Sequence, residues 1–149
     1  MIIMIIILAN PFIIKVFHGC EKDIIWLQRD FSLYVVNCFD TRNAAKLLKY
    51  PDTSLSHILH YLGGVVLNKS YLMSDWRHRP LTLDLINFAR TNVNYLLYLY
   101  DCFRRDLWNV HGKEGLEAVL NASRKSCLKR YEKESFWPLG YRKLLDIPR

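Results

Sequence analysis

The sequence predicts an α/β domain in which helices outweigh strands, and three observations lead to this fold class. Hydrophobic residues make up 51% of the 149 positions, which is enough apolar material for one buried core. Two short apolar runs, at residues 13–17 and 33–38, have the composition of buried strands. Segments with helical periodicity follow each run, and strands that alternate with helices are typical of α/β domains.

The helices are predicted from apolar periodicity and from the residues at their ends. Residues 21–31 carry an apolar face interrupted by polar side chains, which predicts the first helix. Asp40 and Ser54 are start signals for two more helices, and the pair Gly63-Gly64 ends the second of them. Residues 69–80 show no period and predict an ordered loop. Further helices are predicted at residues 81–108, with a break inside, and at residues 114–131.

The first nine residues form the most apolar stretch of the chain. A membrane span needs about 20 apolar residues, so this run is too short to cross a bilayer. A signal peptide is disfavoured because no Lys or Arg precedes the run. We interpret it as the end of a buried element whose beginning is missing. Two strands are also too few for a stable sheet, which again indicates that strands are missing.

The net charge indicates a class of binding partner, and the cysteine spacing indicates the chemical state of the thiols. The net charge of +7 favours an anionic partner such as nucleic acid, although a solvated basic face is the alternative, above all at residues 124–133. The cysteines show neither a C-x-x-C pair nor zinc spacing, and we expect reduced, partly buried thiols. They are Cys20, Cys38, Cys102 and Cys127.

Three blocks of sequence together form a recognisable pattern. They read KVFHGCEKDIIWLQRD at residues 15–30, KSYLMSDWRHRPL at residues 69–81 and FARTNVNYLLYLYD at residues 88–101. Their order and spacing resemble the exonuclease domain of the nuclear-exosome 3′–5′ exoribonucleases, the eukaryotic relatives of ribonuclease D. The resemblance implies a ribonuclease H-like fold lacking its first strands. It also implies a partial exonuclease domain at residues 1–131 and a tail at residues 132–149.

The resemblance implies a two-metal site with altered residues. The family hydrolyses phosphodiesters with two divalent cations, Mg²⁺ or Mn²⁺, held by four acidic residues, while a Tyr positions the attacking water. Asp23 matches one of the four acids. Phe88 stands at the position of the Tyr, Asn92 stands at that of another acid, and no Asp-x-Glu pair precedes residue 15. One helix face should hold positions 88 and 92 and direct both into the site.

These departures predict a degenerate exonuclease domain of RNA processing that lacks useful catalysis and binds RNA at most weakly. Asp23 remains as a residual metal position, Trp26 is a candidate for stacking on a terminal base, and Lys69 for contacting a phosphate. The alternative for Trp26 is a side chain packed in the core. The alternative for Lys69 is a solvated side chain that contacts no phosphate. The resemblance further implies exosome association, although the docking regions are absent, and a nuclear location. Two rival functions remain: a fragment of an active exoribonuclease, and a non-enzymatic protein-interaction module.

Two further side-chain roles are expected to be structural. We expect His18 to hydrogen-bond to backbone at the end of its strand and not to act as a general base. Trp76, with Arg77 and Arg79, is expected to brace the loop against a helix.

Overall fold

The computed structural model describes residues 2–133, and within them the chain forms six α-helices, one 3₁₀ helix and two short strands. This helix-rich α/β architecture confirms the fold class expected from the sequence. Most of the expected tail at residues 132–149 lies outside the described residues. In chain order the elements are α1 (Ile2–Ala9), β1 (Lys15–Phe17), α2 (Glu21–Phe31), β2 (Cys38–Asp40), α3 (Thr41–Leu47), α4 (Leu55–Gly63), the 3₁₀ helix (Lys69–Met73), α5 (Leu83–Asn94) and α6 (Leu96–Cys127).

The two strands and the helix between them form a parallel β-α-β unit. Val16 of β1 lies opposite Phe39 of β2, and Phe17 lies opposite Asp40. Helix α2 has the bounds expected from its periodicity, and its first turn carries Glu21 and Asp23, where the helix dipole favours acidic side chains. Parallel pairing brings the carboxyl ends of β1 and β2 to one edge of the sheet.

The prediction of a strand at residues 33–38 is wrong about where the strand lies. Its alternating pattern is real, because Leu33 and Val35 are buried while Tyr34 and Val36 are exposed. Residues 32–36 nevertheless have no regular secondary structure, and β2 begins only at Cys38. The run packs its apolar side chains without a partner strand, because β1 is three residues long and pairs with Cys38–Asp40.

The interpretation of the apolar N-terminal run as part of a buried element is also wrong. Residues Ile2–Ala9 form helix α1, whose Ile3 and Ile6 side chains are 72% and 60% exposed. A short helix that is apolar on all sides can bury only the side that meets the domain. Leu8 makes that contact, packing against Cys20 and its neighbours. No described helix combines the length and hydropathy needed to cross a membrane.

Helix α6 organises the main core, packing against α3, β2 and α4. The predicted break within residues 81–108 is confirmed at Tyr95, which separates α5 from α6. A second break lies at Gly112, where φ is +62° and ψ is −150°. Only glycine adopts this backbone conformation readily, so Gly112 turns the helix without strain. The buried core residues are Phe39, Ala44, Ala45, Ile58, Leu59, Leu99, Phe103, Leu107 and Val119.

Candidate functional site

Asp40 fixes the edge of the sheet where both strands end. Its buried carboxylate accepts hydrogen bonds from the backbone N–H groups of Gly19 (2.7 Å) and Cys20 (3.0 Å), which lead into α2. The same carboxylate accepts from the N–H of Arg42 (2.9 Å) and so caps α3. One side chain therefore holds the starts of two helices. The sequence indicated only the α3 cap, because the bonds to Gly19 and Cys20 join positions about twenty residues apart.

His18 is a structural residue, as expected from its place at the end of β1. Its Nε2 lies 3.0 Å from the Thr53 carbonyl, which can only accept, so Nε2 carries the proton. Its Nδ1 lies 2.9 Å from the Thr41 hydroxyl. Burial lowers the pKa of His18, an effect that the negative charge of Asp40 partly opposes. The neutral ring thus ties β1 to α3 and to the turn before α4.

Asp23 lies in the first turn of α2, beside an apolar cavity of about 540 Å³. Burial is the main cause that raises its pKa, and repulsion from Asp40 adds to it. Two carboxylates near the same sheet edge therefore have different environments: Asp40 accepts three backbone N–H bonds, whereas Asp23 lies in apolar surroundings. The other residues that line the cavity are Met4, Leu8, Phe17, Trp26, Leu27, Asp30 and Phe31.

Trp26 lines the same cavity as Asp23, because the two positions are three residues apart on α2. Its side chain is 49% exposed, so the alternative of a core role is wrong. Asp30, the other acid of the cavity, forms an ion pair with Arg29 at 2.6 Å. The structure thus brings together one aromatic face and one carboxyl group, those of Trp26 and Asp23, from the predicted site.

Phe88 is buried in an aromatic cluster between α5 and the loop before it. Its ring centroid lies 5.6 Å from that of Tyr71 and 6.1 Å from that of Trp76. The Trp76 indole donates a hydrogen bond to the Tyr71 carbonyl (3.1 Å), and Arg79 donates to the Trp76 carbonyl (2.7 Å). The expected bracing role of Trp76 is confirmed, whereas Arg77 pairs with Asp75 on the surface.

The remaining predicted site residues are dispersed. Asn92 lies one turn after Phe88 on α5 and is half-buried, and neither residue is among those that line the cavity beside Asp23. Lys69 is exposed and borders a separate cavity of about 290 Å³ with His57. Within residues 2–133, no three His, Cys, Asp or Glu side chains are grouped so that they could hold a metal ion.

Comparison with known proteins places this geometry in a family. Residues 3–108 match the family model described as 3′-5′ exonuclease. The chain is 47% identical over 139 residues to exosome complex component 10 of Rattus norvegicus, a match that covers 92% of this chain and 16% of the rat protein. The chain thus spans about a sixth of the length of that relative.

Solved structures agree with this assignment. The catalytic core of RRP6 from Trypanosoma brucei is similar with a TM-score of 0.82 and 38% identity, over 93% of this chain and 38% of that one. Escherichia coli RNase D, an exoribonuclease involved in structured RNA processing, is similar with a TM-score of 0.68 and 26% identity, over 82% of this chain and 32% of that one. The chain therefore belongs to the ribonuclease D-type 3′–5′ exonuclease family.

Proposed function

We propose that this domain keeps the framework of an RNA-processing 3′–5′ exoribonuclease but does not cut RNA, and that it retains at most weak RNA binding. The observation that carries the proposal is the composition of the site. Of the three catalytic positions that the family resemblance matches to residues of this chain, only Asp23 keeps the family's residue. Phe88 stands at the position of the tyrosine and Asn92 at that of a second acid.

The donor groups present do not fit a pair of divalent cations. Mg²⁺ takes oxygen ligands in octahedral geometry and gives up its water reluctantly, so two neighbouring ions need several converging carboxylates. Asp23 is a single carboxyl group facing Met4, Leu8 and Phe17, and its raised pKa reflects those surroundings. No catalytic step through a metal ion is therefore derived for this chain.

Phe88 also removes the group that would hold water. A phenyl ring has no hydroxyl to orient a nucleophile. Its packing against Tyr71 and Trp76 gives the side chain a structural role instead. The substitution is therefore compatible with folding, although it is incompatible with the role of the tyrosine.

Weak RNA binding is supported by Trp26 and by charge. An exposed aromatic ring provides a stacking surface for a base, and such contacts contribute about 1–3 kcal/mol per base. The net charge of +7 favours a polyanion, and exposed Lys69 is available for a phosphate contact. Exosome association, which the name of the rat relative suggests, and a nuclear location, which the family resemblance implies, are proposed for this chain on those likenesses alone.

A nuclease and binding assay on the full chain tests the proposal. Single-stranded RNA labelled at its 5′ end is incubated with the protein and Mg²⁺ or Mn²⁺, and binding is measured in parallel at several salt concentrations. We expect intact RNA and weak, salt-sensitive binding that Trp26→Ala reduces. Trp108→Ala serves as the matched control, because Trp108 is similarly exposed but lies on α6. Shortening from the 3′ end that Asp23→Ala abolishes would contradict the proposed inactivity.

The alternative function, in which this chain is a fragment of an active exoribonuclease, makes a separate prediction. A chain with Phe88→Tyr and Asn92→Asp, preceded by a strand that carries Asp-x-Glu, should then cut RNA in a metal-dependent way. A restored chain that folds and remains inert would exclude this alternative.

A protein-interaction module is favoured by one specific observation, the exposed apolar surface of α1. Large exposed apolar patches mark interaction surfaces in soluble proteins. Stoichiometric, RNA-independent co-purification with another protein, lost on Ile3→Glu with Ile6→Glu, would support this function. A monodisperse monomer without a partner would argue against it.

A further inference from the structure

Three thiols meet where β2 packs against the end of α6. The Sγ atoms of Cys20 and Cys38 lie 3.9 Å apart, and both side chains are buried. Cys127, the last residue of α6, packs against the apolar cluster that contains this pair and is only half-buried. All three are free thiols, and the exonuclease framework described above uses none of them for chemistry.

Cys127 is the thiol of this cluster that solvent can reach. It lines a cavity of about 510 Å³ between residues 34–38 and the last turns of α6, and Cys38 forms part of the same wall. Arg124, Lys129 and Arg130 also line the cavity and are exposed. Of the two thiols in this cavity wall, Cys127 is therefore the more accessible to a small oxidant.

The surroundings of Cys127 favour its thiolate. The neighbouring Cys38 thiol is the main cause that lowers the pKa of Cys127, and the charge of Lys15 lowers it further. Burial and the negative charge of Asp40 act in the opposite direction. The Cys38 thiol donates a hydrogen bond to the Cys20 sulfur, and the neighbouring thiols together with burial raise the pKa of Cys38 well above its ordinary value. Cys127, which is half-buried and lines the cavity, is therefore the nucleophile of the pair.

We propose that Cys127 is a peroxide-reactive thiol and that Cys38 resolves its oxidised form as an internal disulfide. The Cys127 thiolate attacks one peroxide oxygen, the O–O bond breaks, and the released hydroxide takes up a proton to leave as water. Cys127 is then a sulfenic acid. The Cys38 sulfur next attacks the Cys127 sulfur, the S–O bond breaks, and the hydroxyl group leaves as water with the Cys38 proton. Two electrons pass from the thiol pair to the peroxide, and the new bond joins β2 to α6.

Peptide mapping of the full chain tests the proposal. The reduced protein is treated with hydrogen peroxide, remaining thiols are blocked with an alkylating agent, and the protein is digested without reductant. We expect a cross-linked pair of peptides containing Cys38 and Cys127, lighter than the separate peptides by two hydrogen atoms. Cys127→Ser should abolish the product, while Cys102→Ala should leave it unchanged, because Cys102 belongs to a different part of the core.

Native-state alkylation provides a second measurement that does not depend on a variant. Cys127 should react with iodoacetamide faster than each of the other three cysteines. A Cys20–Cys38 disulfide, a chain-to-chain disulfide, or sulfinic acid at Cys127 without cross-linking would overturn the proposal. Alkylation of Cys127 at the rate of buried Cys102 would overturn it as well.

Discussion

Two aspartates near one sheet edge show how differently the two sides of this domain are built. Asp40 is buried and accepts three backbone hydrogen bonds, so its charge holds β2, α2 and α3 together. Asp23 faces an apolar cavity, and its raised pKa indicates that the surroundings oppose its charge. The side around Asp40 and α6 is the framework, whereas the side around Asp23 and α1 is the candidate-site face.

The difference between the two aspartates indicates which residues preserve the fold of the family. The framework residues act by packing and by internal hydrogen bonds, which stabilise the fold whether or not the domain is a catalyst. Catalytic groups stabilise a transition state and often cost folding stability. Under the proposed function, Phe88 and Asn92 stand in place of such groups and leave the framework intact. The comparison predicts large effects of substitution on the framework side and small ones on the candidate-site face.

The largest expected effect is that of a core truncation. Phe103 is fully buried and packs edge-on against Tyr50, with ring centroids 5.6 Å apart. Phe103→Ala should lower the free energy of unfolding by about 3–5 kcal/mol, or prevent folding, because it leaves a cavity. Phe12→Ala should change it by less than about 0.5 kcal/mol, since Phe12 is 93% exposed. Urea denaturation of both variants measures the two changes in the free energy of unfolding. Equal losses of stability would contradict the predicted difference between a core and a surface position.

Replacing Asp40 should have the next largest effect. Asp40→Asn removes the charge and places an amide N–H₂ group among backbone donors, so we expect a loss of about 2–4 kcal/mol. Asp52→Asn is the matched control, because Asp52 accepts bonds from Ser54 at the surface. The control should cost less than about 1 kcal/mol. Equal melting temperatures for the two variants would show that Asp40 does not anchor the framework.

His18 should make the stability of the framework depend on pH. Its pKa is lowered in the folded state, so folding favours the neutral ring. The stabilisation is complete above the unfolded pKa of about 6.5 and is lost as the pH falls from there through the lowered folded pKa. Comparison of urea midpoints at pH 7.5 and pH 5 for the parent chain and His18→Asn measures this effect. An equal acid-induced loss in both proteins would assign it to other groups.

The smallest expected effect is at Asp23, and its sign is opposite to that at Asp40. Because the folded pKa is raised, the favourable contribution exists below the unfolded pKa of 3.8 and is lost as the pH rises through the folded pKa. Asp23→Asn should therefore stabilise the chain at pH 7, by less than about 1 kcal/mol after solvent screening. The gain should vanish near pH 3. A clear destabilisation at pH 7 would mean that Asp23 has a structural role.

Local patterns predicted the framework better than the candidate-site face. The bounds of α2 and the starts of α3 and α4 follow from periodicity and capping residues that lie close together in sequence. The strand at residues 33–38 was misplaced, because its pairing depends on the short β1 strand. The exposure of α1 was missed, since hydropathy does not reveal how much of a helix finds a partner surface.

The candidate site was predictable in part. Motif spacing identified Asp23, Phe88 and Asn92, and whether they mark the family's catalytic positions here stays a prediction. The packing of Phe88 on Tyr71 and Trp76 joins residues twelve or more positions apart in sequence, so no local pattern indicated it. The hydrogen bonds from Gly19 and Cys20 to Asp40 also join residues about twenty positions apart, so no local pattern indicated them either. The exposure of Trp26 required the structure, because helical spacing fitted both a core and a surface position.

The central claim is that the framework persists without a two-metal site, and Mn²⁺ titration followed by electron paramagnetic resonance tests it most directly. The free-ion signal is recorded as Mn²⁺ is added to the full chain and to Asp23→Ala, after circular dichroism has confirmed that both are folded. We predict that the two proteins leave the free-ion signal equally unchanged at micromolar metal. Uptake of two Mn²⁺ ions per chain, abolished by Asp23→Ala, would contradict the account.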